Sequence, residues 1–267
     1  MALLCVGSVR GAPGATTLGL LMAGCWPRPA ALVEADPAGG VLAARYGLGR
    51  SPGLAELAAA AQSHAPDAAL WQAAQELPGG LGVVVAPESG EVTTGVLLDA
   101  AAALGTWCGQ LDGSDVVADC GRLTTDTPTG PLLEAADAVL VAARPVAEEL
   151  LPAAHRLHAS GRRRRAAPLG LVLVGERPYG ARDVEERLGV RVAGTLASDA
   201  KTAGMLRDGG SPHALRRSPL VRSVRSLVDA VCDRLGIAPP PPVSGGDTAD
   251  DAAVGAATMR EARGMAR

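Results

Sequence analysis

The chain has 267 residues, enough for one α/β domain with a large core and too few for two full domains of that kind. A net charge of −3 excludes a whole-molecule polycation that binds nucleic acid by bulk charge, so any such binding needs a local patch. Hydrophobic residues make up 48% and aromatics 2%, with no Phe, so Leu, Val and Ala must build the core.

Apolar runs at residues 2–6, 31–33, 82–86, 116–118, 138–142 and 169–174 read as buried strands, each Val- or Leu-rich and closed by turn residues or charge. Between them, residues 16–23, 51–62, 93–103, 146–158 and 181–188 carry helical, Ala-rich patterns. A short strand at 190–196 precedes helices at about 201–207 and 219–235. This alternation predicts an α/β, doubly wound, mostly parallel sheet with helices on both faces, occupying residues 1–237. Residues 238–267 change character. Four consecutive prolines at 239–242 and the carboxylates Asp247, Asp250 and Asp251 predict a Pro-rich, disordered tail. No apolar stretch reaches the ~18 residues that a membrane span needs. Cys5, Cys25, Cys108, Cys120 and Cys232 are scattered through mostly apolar runs without disulfide or zinc spacing, which reads as reduced thiols in a cytoplasmic protein.

The segment that carries most chemistry follows the first strand. From Val9 the chain reads Arg10-Gly11-Ala12-Pro13-Gly14-Ala15-Thr16-Thr17, a Gly-rich turn that opens a helix with two hydroxyl residues. Such a turn aims backbone N–H groups and a helix N-terminus at one spot, which suits phosphate. The strict phosphate-loop pattern GxxxxGK[ST] puts a lysine on the β/γ-phosphates and a hydroxyl on Mg²⁺. Here Val9 stands at the first glycine and Ala15 at the lysine, while Gly14 and Thr16 fit. Two further strands bring carboxylates toward the ligand-binding edge of a parallel sheet. One is followed by Glu34-Ala35-Asp36-Pro37-Ala38-Gly39, and the other contains Asp115 to Asp119 and then Cys120-Gly121. Asp119 follows its apolar run in the manner of a Walker-B aspartate.

These motifs together resemble the ParA/MinD family, the deviant-Walker P-loop ATPases that position chromosomes, division sites and secretion machines. Arg10 to Thr17 aligns without a gap with the family's KGGxGKTT loop, Glu34 to Gly39 with its DxDPQG segment, and Asp115 to Cys120 with its DYIIIDTP segment. The resemblance continues through Ala136 to Val141 and Val192 to Leu196, covering roughly residues 1–235 in order. Degenerate members of the TadZ- or CpaE-like kind, and actinobacterial ParA-like proteins, are nearest in flavour.

The resemblance implies ATP or ADP with Mg²⁺ on Arg10, Gly11, Ala12, Pro13, Gly14, Ala15, Thr16 and Thr17. It gives Thr16 and Asp119 to the metal, and Asp36 to the attacking water. It also implies a homodimer, with Arg10 in place of a lysine that reaches across to the partner's nucleotide. The departures imply weak or absent nucleotide binding and hydrolysis. Ala15 removes the phosphate lysine, and Lys201, the only lysine in the chain, lies far away with no motif around it. An arginine at position 10 keeps charge but not the point contact of an ammonium.

Other basic features are the run Arg162-Arg163-Arg164-Arg165, read as a solvated loop, and the cluster Arg216, Arg217, Arg222 and Arg225. ParA-like proteins often bind DNA through basic residues near the C-terminus, which makes that cluster the nucleic-acid candidate. The leading expectation is a degenerate ParA/MinD-like localisation or scaffold factor with protein partners in a positioning, division or secretion machine, and no membrane contact. The alternatives are a slow Mg-ATPase with ATP-dependent dimerisation, and a non-specific DNA-binding protein.

Overall fold

A computed structural model describes residues 1–11, 14–163, 169–211 and 213–238, leaving aside the side chains of 160–163, 169 and 213. Ala12 and Pro13, the side chains of the 162–165 arginine run, and residues 239–267 of the expected tail lie outside that description. In chain order the elements begin with β1 (Leu3–Ser8), α1 (Ala15–Cys25), β2 (Ala30–Glu34), α2 (Leu42–Tyr46), α3 (Leu54–Gln62) and α4 (Ala68–Ala73). Then come β3 (Gln75–Glu76), β4 (Gly82–Val84), α5 (Gly90–Cys108), β5 (Asp115–Arg122), α6 (Gly130–Ala135), β6 (Ala138–Ala143) and α7 (Ala147–Arg163). The fold closes with β7 (Leu169–Val174), α8 (Ala181–Leu188), β8 (Val192–Leu196), α9 (Ala200–Arg207), a 3-10 turn (His213–Leu215) and α10 (Pro219–Leu235).

The strands form one sheet in the order β3-β4-β2-β5-β1-β6-β7-β8. Every pairing is parallel except that of β3 with β4. The expected doubly wound α/β architecture is present. The two-residue β3 and the short α2, α4 and α6 have too few residues for a periodic pattern and were not expected.

Alternation along β1 shows why apolar runs became central strands. Leu3 and Cys5 point into one core layer, and Ala2, Leu4 and Val6 into the other, so each face must be apolar. Helices α3 to α8 cover the first layer and α1, α2, α9 and α10 the second. Without Phe, the large cavity-filling residues are three tryptophans, each buried with its indole N–H bonded. Trp26 donates to Asp115, Trp71 to the Ser114 hydroxyl, and Trp107 to the Ala65 carbonyl.

At the amino ends of the strands, two carboxylates tie the chain start into the sheet. Asp115 accepts from the Ala2 N–H, the Trp26 indole at 2.7 Å and the Arg28 guanidinium at 2.7 and 2.8 Å. Asp137 accepts from the Leu3 N–H at 2.7 Å. Asp115 thus belongs to the sheet edge opposite the loop and is a structural staple. No described helix is long and apolar enough to cross a membrane.

Candidate functional site

β1 lies near the middle of the sheet, where connections leave toward both sides, and its carboxyl end is where such folds bind ligands. The chain leaves β1 at Ser8, passes through the loop and re-enters a helix at Gly14. That residue adopts a left-handed conformation (φ 95°), which a glycine tolerates without strain. No side chain caps α1 and no acidic residue lies in its first turn. Its leading N–H groups and its positive dipole end therefore face the loop without a built-in anion. Thr16 and Thr17 are half-buried, Ala15 is buried, and Arg10 and Gly11 are exposed.

Two neighbouring strands supply the carboxylates. β5 runs three residues past Asp119, so this aspartate sits inside the strand, fully buried, rather than at its end. Its carboxylate accepts from the Thr16 hydroxyl and, at 3.1 Å, from the Gly121 N–H. Burial nevertheless pushes its pKa up to about 6, with the carboxylates of Asp36 and Glu34 adding to the shift. Asp36, two residues beyond β2, caps its own turn through the Ala38 N–H at 2.9 Å. Its carboxyl rests on Gly121, which has a positive φ of 57°. A Cβ at Gly121 would stand 2.0–2.2 Å from the Asp36 carboxyl atoms. Gly121→Ala is accordingly expected to cost about 1–2 kcal/mol and to displace Asp36. A urea midpoint equal to that of the parent would show that Asp36 swings aside freely.

Glu34 takes a different part from the one its motif suggested. It accepts from the Val41 and Leu42 N–H groups at 2.7 and 2.9 Å and from the Ala86 N–H at 3.0 Å. It is a buried tie between the start of α2 and the exit of β4. Burial raises its pKa, and the three backbone donors oppose that rise.

The structure brings together Thr16, Asp119 and Asp36, with Gly14, Ala15 and Thr17 flanking Thr16 at the start of α1 and Arg10 and Gly11 exposed after β1. Lys201 is exposed near the start of α9, a helix that packs on the same face as α1 and whose Leu206 carbonyl accepts from the Tyr46 hydroxyl of α2. Sequence reasoning overlooked Arg122, the last residue of β5, whose exposed side chain reaches over Gly11. An arginine three residues after a strand aspartate gives no signal in the sequence by itself. The donor set fits Mg²⁺: a hydroxyl and a buried carboxylate are hard oxygens, and magnesium commonly completes its shell with phosphate oxygens and water. An ion held by Thr16 and Asp119 would supply positive charge to a bound phosphate. Arg217, Arg222 and Arg225 are exposed and Arg216 is half-buried, on and just before α10.

No protein-family model and no curated protein matches the chain. Solved structures do. A ParA family ATPase from Chlorobium tepidum TLS superposes with a TM-score of 0.72 at 15% identity, covering 85% of this chain and 97% of that one. The septum site-determining protein MinD complexed with Mg-ADP, from Pyrococcus horikoshii OT3, gives 0.70 at 14%, covering 88% and 98%. An ATP complex of McdA from Cyanothece gives 0.64 at 15%, covering 89% and 97%. The fold is that of the ParA/MinD-type P-loop ATPases.

Proposed function

We propose that this protein is a ParA/MinD-like positioning factor that binds Mg-ATP or Mg-ADP weakly, turns it over slowly or not at all, and acts through protein contacts. The observation that carries this reading is a preserved frame with one part removed. The left-handed glycine, the uncapped helix start, Thr16, Asp36 and Asp119 are all in place, whereas Ala15 stands where the phosphate lysine belongs. A lost charge-assisted phosphate contact costs about 1.5–3 kcal/mol of binding. Loss of transition-state charge stabilisation slows the chemistry by ~10² to 10³-fold. Binding survives such losses better than turnover does.

In this reading Asp36 orients the water, Thr16 and Asp119 hold Mg²⁺, and residues 10–17 hold the phosphates. The partners are a second copy of the chain across the loop face, with Arg10 at the contact, and proteins of a chromosome-partitioning, division or secretion machine.

The test is calorimetric titration with Mg-ATP and Mg-ADP, with mass followed by light scattering. Weak binding by the parent, tightened ~10-fold or more by Ala15→Lys, is the expected result. Tight binding and steady hydrolysis by the parent would make it a working ATPase instead. No binding at millimolar nucleotide would remove nucleotide from the function altogether.

A further inference from the structure

Three features of the segment after Asp119 converge on the loop. Gly121 turns the chain with a positive φ, and the buried Leu123 anchors it through an N–H bond to the Ser8 carbonyl at 2.7 Å. Arg122, held between them, therefore has a fixed backbone. It ends β5, the strand next to β1, and pairs with Ser8 in the sheet register. Its Nη2 lies 3.0 Å from where a Cβ on Gly11 would stand, which places the guanidinium directly beside the loop.

The head group is exposed, and among the described residues no carboxylate lies within ion-pair distance of it. Another arginine near the same sheet edge is already engaged. Arg144, just beyond β6, pairs with Glu149. Arg122 is thus an unpaired cation beside a loop that has Arg10 at its start but Ala15 where the phosphate lysine would stand.

We infer that Arg122 is the phosphate-contacting residue of this site, a guanidinium delivered from β5 that supplies in cis the charge absent at Ala15. The ligand class is a polyphosphate, with the oxygens of its terminal groups set between the Arg122 fork and the uncapped N–H groups at the start of α1. An arginine suits this task because its planar fork can give two parallel N–H bonds to one phosphate. The inference rests on the proposal that the loop holds nucleotide phosphates, and it adds the residue that binds them.

The test compares the parent, Ala15→Lys, Arg122→Ala, Arg122→Lys and the double variant A15K/R122A, titrated with Mg-ATP and with inorganic tripolyphosphate. Arg122→Ala is expected to lose ~10-fold or more in affinity for both probes, since a charge-assisted bond is worth at least one factor of ten. Thermal stability should stay at the parent value because the side chain is exposed. Arg122→Lys should recover part of the loss, and Ala15→Lys should rescue binding in the Arg122→Ala background. If Arg122 fills the role left open at Ala15, Ala15→Lys should gain more affinity in the Arg122→Ala background than in the parent, and equal gains in both would overturn that shared role. Parent binding that Arg122→Ala leaves unchanged overturns the inference and leaves the phosphate reading standing. A parent that binds neither probe overturns both.

Discussion

Asp115→Ala is expected to destabilise the fold by about 3–5 kcal/mol, the usual cost of removing one member of a buried ion pair. The carboxylate is fully buried, and four donor bonds converge on it from Ala2, Trp26 and Arg28. Its removal strands the Ala2 amide and the buried Trp26 indole without acceptors, each a desolvated donor costing about 1–3 kcal/mol. Arg28 suffers less, because its side chain is 31% exposed and can turn to water. Arg28→Ala should therefore cost less than Asp115→Ala, since Asp115 keeps two of its donor groups. Urea unfolding at neutral pH measures both. A loss below about 1 kcal/mol for Asp115→Ala would show that the amino edge of the sheet holds without its staple.

The second large effect runs in the opposite direction. Asp119→Asn is expected to stabilise the nucleotide-free protein at pH 7 by about 2 kcal/mol. The folded-state pKa of about 6 lies above the ordinary aspartate value of 3.8, so the fold binds this proton more tightly than the unfolded chain does. The stability linked to that proton is fully present below about pH 4 and is lost as the pH rises through about 6. At neutral pH the ionised carboxylate burdens the fold by on the order of 2–3 kcal/mol. Asparagine carries no charge, and its oxygen can still accept from Thr16 and Gly121. Denaturation of parent and variant at pH 4.5 and 7.5 gives the comparison. The variant's advantage should grow with pH across that window, and an advantage independent of pH would mean that Asp119 does not titrate there. The same substitution should weaken Mg-nucleotide binding, so stability and ligand affinity move in opposite directions.

The central strands were legible because a parallel sheet covered on both faces leaves no room for polar residues, and short unbroken apolar runs result. The loop was legible because Gly14, Thr16 and Thr17 sit in sequence beside β1. What escaped depends on contacts between distant segments. Asp115 looks like the first residue of a motif, but its partners Trp26 and Arg28 are 89 and 87 residues away. Glu34 and Asp36 look equivalent in sequence. Only the approach of the chain at Val41, Leu42 and Ala86 turns the first inward as a tie and leaves the second facing the loop. Arg122 could not be recognised, because its relation to Gly11 exists only once β5 and β1 lie side by side.

Those two neighbouring strands also separate what holds the fold from what performs its task. On β5, Asp115 and Asp119 are four residues apart, about 13 Å along an extended strand. One end anchors the architecture, while the other carries a charge that the empty fold would be more stable without. Loss of the charge at Asp119 therefore moves the protein away from the threshold at which it ceases to fold. A lineage could lose its phosphate lysine and keep the whole scaffold, free to take up another use. Recovery would be equally open to it, since a single codon change at Ala15 or a retained Arg122 acts on a frame that has stayed intact.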